Sequence, residues 1–124
     1  MAADRLGAFV KQKHIALETY RKSGEPVRTP VWCMVDNNLL YIVTRSHTGK
    51  VKRIRNNPKV RIVPSSFGGE PKGDWIEGTA RFAEGEEAER AVKLRKKKYG
   101  LQAMLVGMMG YSKADTTVIA VELN

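Results

Sequence analysis

Along most of this chain, apolar residues alternate with polar ones in short runs separated by turn residues, and that pattern predicts strands. His14 to Tyr20 reads as the first strand. The segment Arg21-Lys22-Ser23-Gly24-Glu25-Pro26 carries turn chemistry, with Gly24 free to take a positive φ and Pro26 fixing the exit. Val27 to Val35 reads as the second strand, Asp36-Asn37-Asn38 as a tight turn, and Leu39 to Arg45 as the third strand, rich in β-branched and aromatic residues. Turns this short favour an antiparallel meander. Lys59 to Pro64, Trp75 to Ala83 and Thr116 to Leu123 complete the set. Gly78, inside the fifth of these strands, marks a bend or a close backbone approach.

Helical spacing is confined to four places. Residues 4–13 predict a short amphipathic helix with Leu6, Phe9 and Val10 on one side. Thr48 is placed to cap a helix from about Gly49 to Asn56, which Asn57-Pro58 stops. Glu86 to Tyr99 is the clearest helix. Its start is acidic, its end is basic, and Gly100 suits the position after it. Leu101 to Met109 is apolar and reads as a short helix or a contact surface, buried in the core or in dimer packing, or lining a substrate pocket. The sum is about six short strands and two main helices. A small barrel is the expected architecture, because closure removes exposed edges.

Length and charge narrow the function. With 124 residues, the chain is expected to form one domain, residues 1–124, since two halves would each be too small for a sound core. The 22 Lys and Arg outnumber the 13 Asp and Glu for a net charge of +9, which favours an anionic partner. Cys33 is a lone cysteine, so no internal disulfide or cysteine-based zinc site is expected. His14 and His47 lack metal-ligand spacing, and no metal is expected. No apolar run suggests a membrane span, and the beginning of the chain has no signal-peptide core, so a cytoplasmic location is expected.

Residues 45–61 hold seven basic side chains and no acidic one. This segment leaves a strand, passes Ser46, Thr48 and Gly49, and opens a helix. Its hydroxyls, free N–H groups and Lys50 can converge on a phosphate, with Arg53 one turn further along the same face. A solvated basic helix with an ordinary cap is the competing reading. Arg28-Thr29-Pro30-Val31-Trp32 is the second feature: a proline inside a strand interrupts the ladder and frees backbone groups for a planar ligand, or merely marks an edge strand with a packing Trp. No Walker loop, GxGxxG, catalytic triad or carboxylate pair is present. A basic nucleic-acid-binding barrel is disfavoured, since residues 45–61 lack the interleaved aromatics of single-strand binders.

The order of GEPVRTPVW, LLYIVTRSHTGKVKRIRNNPKVRI and GDWIEGTARF resembles the pyridoxamine-5′-phosphate-oxidase-like split β-barrel superfamily. Within it, the chain is most similar to small proteins that use the deazaflavin coenzyme F-420. The resemblance implies a mainly β fold: a six-stranded antiparallel split β-barrel of the FMN-binding type. It also implies a homodimer with cofactor sites at the subunit interface, and an oxidoreductase activity in which F-420, or alternatively FMN, exchanges a hydride with a small organic substrate. It places the cofactor phosphate near Lys50 with Thr44, Ser46, Lys52 and Arg53, and the ring along Arg28, Thr29, Pro30 and Val31. The Arg- and His-bearing C-terminal segment of true pyridoxamine-phosphate oxidases is absent, which disfavours that substrate. The resemblance names no catalytic acid or base. A cofactor carrier with little turnover is a further alternative.

Overall fold

The computed structural model describes the backbone of residues 6–105 and 115–124 and the side chains of 6–100 and 115–124. Among these residues seven strands form one antiparallel sheet: β1 (Ile15–Tyr20), β2 (Pro26–Val31), β3 (Met34–Asp36), β4 (Leu39–Arg45), β5 (Lys59–Pro64), β6 (Ile76–Ala83) and β7 (Thr116–Leu123). Helix α1 (Gly49–Asn56) follows β4, and helix α2 (Gly85–Leu105) follows β6. The spatial order is β2-β1-β5-β6-β7-β4-β3.

That order forces closure. β2 and β3 follow each other in the chain but stand on opposite edges of the sheet. Edge strands of a flat seven-stranded sheet would lie ~29 Å apart, whereas the link through Trp32 and Cys33 spans at most ~11 Å. The sheet therefore curls until its two edge strands come near each other at that link without pairing, and the predicted split barrel results. The seventh strand comes from the break in the predicted second one. Cys33 leaves the ladder because its buried N–H is satisfied by Tyr99 Oη at 3.0 Å, a side chain far along the sequence. The β3–β4 hairpin turns through Asn37 and Asn38, both at positive φ (51° and 63°), as a tight hairpin of this hand requires.

β4 and β7 are buried on both faces, which explains their unbroken apolar runs. Leu40 and Ile42 point into the barrel with Ile15, Leu17, Ile62 and Ile119. Tyr41 and Val43 alternate onto the outer face, where Ala91 and Tyr99 of α2 cover them. α1 plugs the barrel from the other side with Val51 and Ile54.

Two local expectations change. In the N-terminal segment Leu6 and Phe9 are buried, but Val10 is 51% exposed. The turns here bond Phe9 N–H to Leu6 and Gln12 N–H to Phe9, a three-residue repeat that carries Val10 off the buried side. Positions 4 and 5 of the predicted helix lie outside the described residues. α2 runs beyond Tyr99 to Leu105, with Gly100 at φ 40°, ψ −116° interrupting it, so glycine kinks the helix where a stop was expected. The rest of the apolar segment to Met109 lies outside the described residues. Among the described residues no helix is long and apolar enough to cross a membrane.

Candidate functional site

A cleft of about 370 Å³ opens where β2, β4 and α1 meet. Pro30, Val31 and Trp32 form one wall, Ile42, Val43 and Thr44 another, and Lys50 stands at the first turn of α1. His14 and Phe67 complete the lining, their rings edge to face at 5.2 Å. Phe67 itself is 83% exposed at the mouth.

Lys50 decides the electrostatics. It is half-buried, and burial first, then the neighbouring Arg53 charge, holds its ammonium below the ordinary lysine value. Among the described residues no carboxylate lines the cleft. Among the described residues neither Lys50 nor Arg53 takes part in an ion pair. A desolvated cation without a counterion is a site for an anion. The helix end adds to it. Thr48 has the extended backbone of a cap, yet its hydroxyl donates to the Arg45 carbonyl at 3.0 Å and leaves the first turn uncapped. That turn carries no acidic residue, so its positive end is not neutralised from within α1.

The proline-bearing wall has its own logic. Among the described residues β2 pairs only with β1, which leaves its second edge open to them. Pro26 and Pro30 have no N–H to give the ladder and belong at positions whose backbone faces away from β1. Arg28 lies between them in the same phase, so its N–H and C=O point outward, free for a planar ligand with polar edges.

Of the residues singled out in the sequence, Pro30, Val31, Thr44 and Lys50 line the cleft. Arg53 lies beside it, its Nε donating to Thr19 Oγ1 at 2.6 Å. Ser46 follows β4, its Oγ sharing a 2.6 Å hydrogen bond with Thr117 Oγ1. Thr29 points to the other face of β2 from Pro30, and Lys52 is exposed on α1. The Arg28 guanidinium lies 5.8 Å from the Trp75 ring, outside the lining. Trp32, the last residue of the proline-bearing feature, also lines the cleft, whereas His14, Ile42, Val43 and Phe67 are not among the site residues expected from the sequence. An aromatic inside a Gly-rich loop was a usable signal for Phe67. The apolar wall residues look in sequence like any other core positions.

Cys33 is fully buried, and burial pushes its thiol up to about 11, which suits a packing residue and not a nucleophile. Burial and the adjacent Lys13 lower the His14 value, so its ring is neutral near pH 7.

The sequence pattern of the pyridoxamine 5′-phosphate oxidase family matches residues 3–124. The chain belongs to this family. The match bears out the superfamily and the split-barrel fold expected from the motif order. No curated protein matches the chain. Among solved structures, the heme storage protein HutZ of Vibrio cholerae superposes with a TM-score of 0.74 at 14% identity, over 98% of this chain and 89% of that one. The conserved hypothetical protein Rv2991 of Mycobacterium tuberculosis gives 0.74 at 20% identity, over 100% and 81%. An F420-H2 dependent reductase, FDR-A, gives 0.66 at 20% identity, over 87% and 93%. At such identities the likeness carries the fold alone, and the names of these neighbours span storage and reduction.

Proposed function

We propose that this family member is an F-420-dependent oxidoreductase that transfers a hydride between the deazaflavin coenzyme and a small organic substrate. The observation that carries the proposal is Lys50: a half-buried cation at an uncapped helix start, in a cleft lined by no carboxylate among the described residues, beside a wall of Pro30 and Val31. These residues fit a flat ring on an anionic tail. Lys50, Thr44 and Ser46 would hold the phosphate, with Arg53 and Lys52 extending the positive surface, and Arg28 to Val31 would lie along the ring. When bound, the coenzyme supplies the hydride. The protein binds, orients and excludes water, and no side chain is assigned the role of acid or base.

The net charge of +9 suits the polyanionic tail of F-420 more than FMN requires, which is the reason to favour the deazaflavin. The reading includes one split-barrel domain and a second copy of the chain completing the cleft. The open edge of β2 and the exposed Phe67 at the mouth support that second copy.

Titration of the purified protein with F-420 and with FMN, read by fluorescence quenching, tests the proposal. Saturable F-420 binding followed by turnover with an electron acceptor is the expected result. Binding of FMN alone replaces the deazaflavin with the flavin, and binding without turnover makes the protein a carrier. Salt-sensitive oligonucleotide binding with no affinity for either cofactor overturns the reading altogether.

A further inference from the structure

Thr19 sits in β1, fully buried, and neither the motif order nor the cleft lining draws attention to it. Its hydroxyl accepts the Nε–H of Arg53 at 2.6 Å. The bond holds the guanidinium across the start of α1. A Cβ added to Gly49 would stand 2.7 Å from Arg53 Nη1 and 3.6 Å from Nη2, so the guanidinium lies directly against the residue that precedes Lys50. Gly49 has an ordinary negative φ and no turn requires glycine there. Its missing side chain makes room for the arginine. An unanchored arginine on an exposed helix start would sample many rotamers, at a cost in side-chain entropy to any ligand that had to order it.

We infer that Thr19 is a positioning residue for the anion site. Its buried hydroxyl pins Arg53 over Gly49, so that the two Nη groups stand ready beside Lys50 for a phosphate ester. This rests on the cofactor reading above and deepens it: the phosphate end is recognised by a pre-ordered pair of cations, one held by a strand residue on the far side of the helix. The shared chemistry is a phosphate ester on a flat-ring ligand, the monoester of FMN or the diester of F-420.

The test compares each phosphorylated ligand with its phosphate-free counterpart: FMN with riboflavin, and F-420 with its bare deazaflavin chromophore. Wild-type protein should prefer the phosphorylated form. Thr19→Val, similar in shape but without the hydroxyl, should reduce that preference by about tenfold or more, with affinity for the phosphate-free ring within about twofold. Thr19→Ser should restore it. Gly49→Ala, which fills the guanidinium's place from the exposed side, should reproduce the Thr19→Val result and guards against a misfolded Val variant. A Thr19→Val or Gly49→Ala protein that keeps the full preference overturns the positioning role and leaves the cofactor reading standing. A wild type that binds the rings without preferring the phosphate also overturns it. A wild type that binds none of the four ligands removes both readings.

Discussion

Tyr99 Oη accepts the backbone N–H of Cys33 at 3.0 Å and donates to the Lys13 carbonyl at 2.8 Å. One phenol on α2 thus joins the break between β2 and β3 to the segment that enters β1. The Tyr99 ring stacks on Trp32, centroids 4.2 Å and planes 3° apart. Lys98, its neighbour, donates to the Cys33 carbonyl at 2.7 Å. The strand that closes the barrel is therefore held at its crossing point by α2, and Trp32, one of the stacked pair, lines the cleft.

Tyr99→Phe keeps the ring stack and deletes the oxygen. The buried Cys33 N–H then loses its acceptor, at a cost of about 1–3 kcal/mol. Urea denaturation with an unchanged m-value measures it. A loss of less than about 0.5 kcal/mol would show that the hydroxyl does not secure the crossing.

Gly78 is tested in the same way. A Cβ there would stand 2.9 Å from the Glu122 carbonyl oxygen and 2.9 Å from Val121 Cγ1. The carbonyl belongs to the adjacent strand and cannot rotate away, so β6 and β7 must part. Gly78→Ala should cost about 1–3 kcal/mol, while Gly68→Ala, with no atom near its Cβ position, should be nearly silent in the same denaturation series.

Gly78 also shows what was legible in the sequence. A glycine amid alternating residues announced a close approach, and the structure supplies the partner strand. The strands, the Asn37-Asn38 turn and the helix after Thr48 could be read because each depends on local spacing and backbone preference. The break at Cys33 could not, because its cause is Tyr99, a long-range contact with no local trace. The same holds at the cleft. Lys50 was visible as a cation after a helix cap, but the pairing of Arg53 with Thr19 needs α1 packed on β1.

Glu87 accepts from both Arg81 Nη groups at 2.7 Å and from Tyr41 Oη at 2.7 Å. The Arg81 hydrogen bonds, then the one from Tyr41, hold its carboxyl down from 4.5 to about 2. The folded value lies below the unfolded one. The contribution is therefore complete above about pH 4.5 and is lost as the pH falls toward 2. The Arg81 side chain is open to solvent, so screening leaves about 1 kcal/mol at most. Denaturation midpoints measured from pH 6 to pH 2.5 should fall more steeply for wild type than for Glu87→Gln. Parallel profiles would mean that the ion pair adds nothing.

Under the proposed function, Lys50 couples stability to cofactor binding with opposite signs. Its folded-state value lies below 10.5, so the charged form is disfavoured by folding, and the penalty is present below that lowered value and fades as the pH rises through it. Lys50→Met keeps the apolar stem and removes the charge. The free protein should gain roughly 0.5 kcal/mol or more, seen as a higher melting temperature. The same substitution should weaken F-420 or FMN by about 1–3 kcal/mol, the range for losing a charge-assisted hydrogen bond. In wild type, affinity should fall with rising pH before an ordinary lysine would begin to titrate, because only the protonated amine attracts the phosphate. A bound phosphate favours the ammonium, so binding at alkaline pH should take up protons, measurable by calorimetry in buffers of different ionisation enthalpy. A Lys50→Met protein that melts lower and binds the cofactor unchanged would make Lys50 a structural residue and remove it from the anion site.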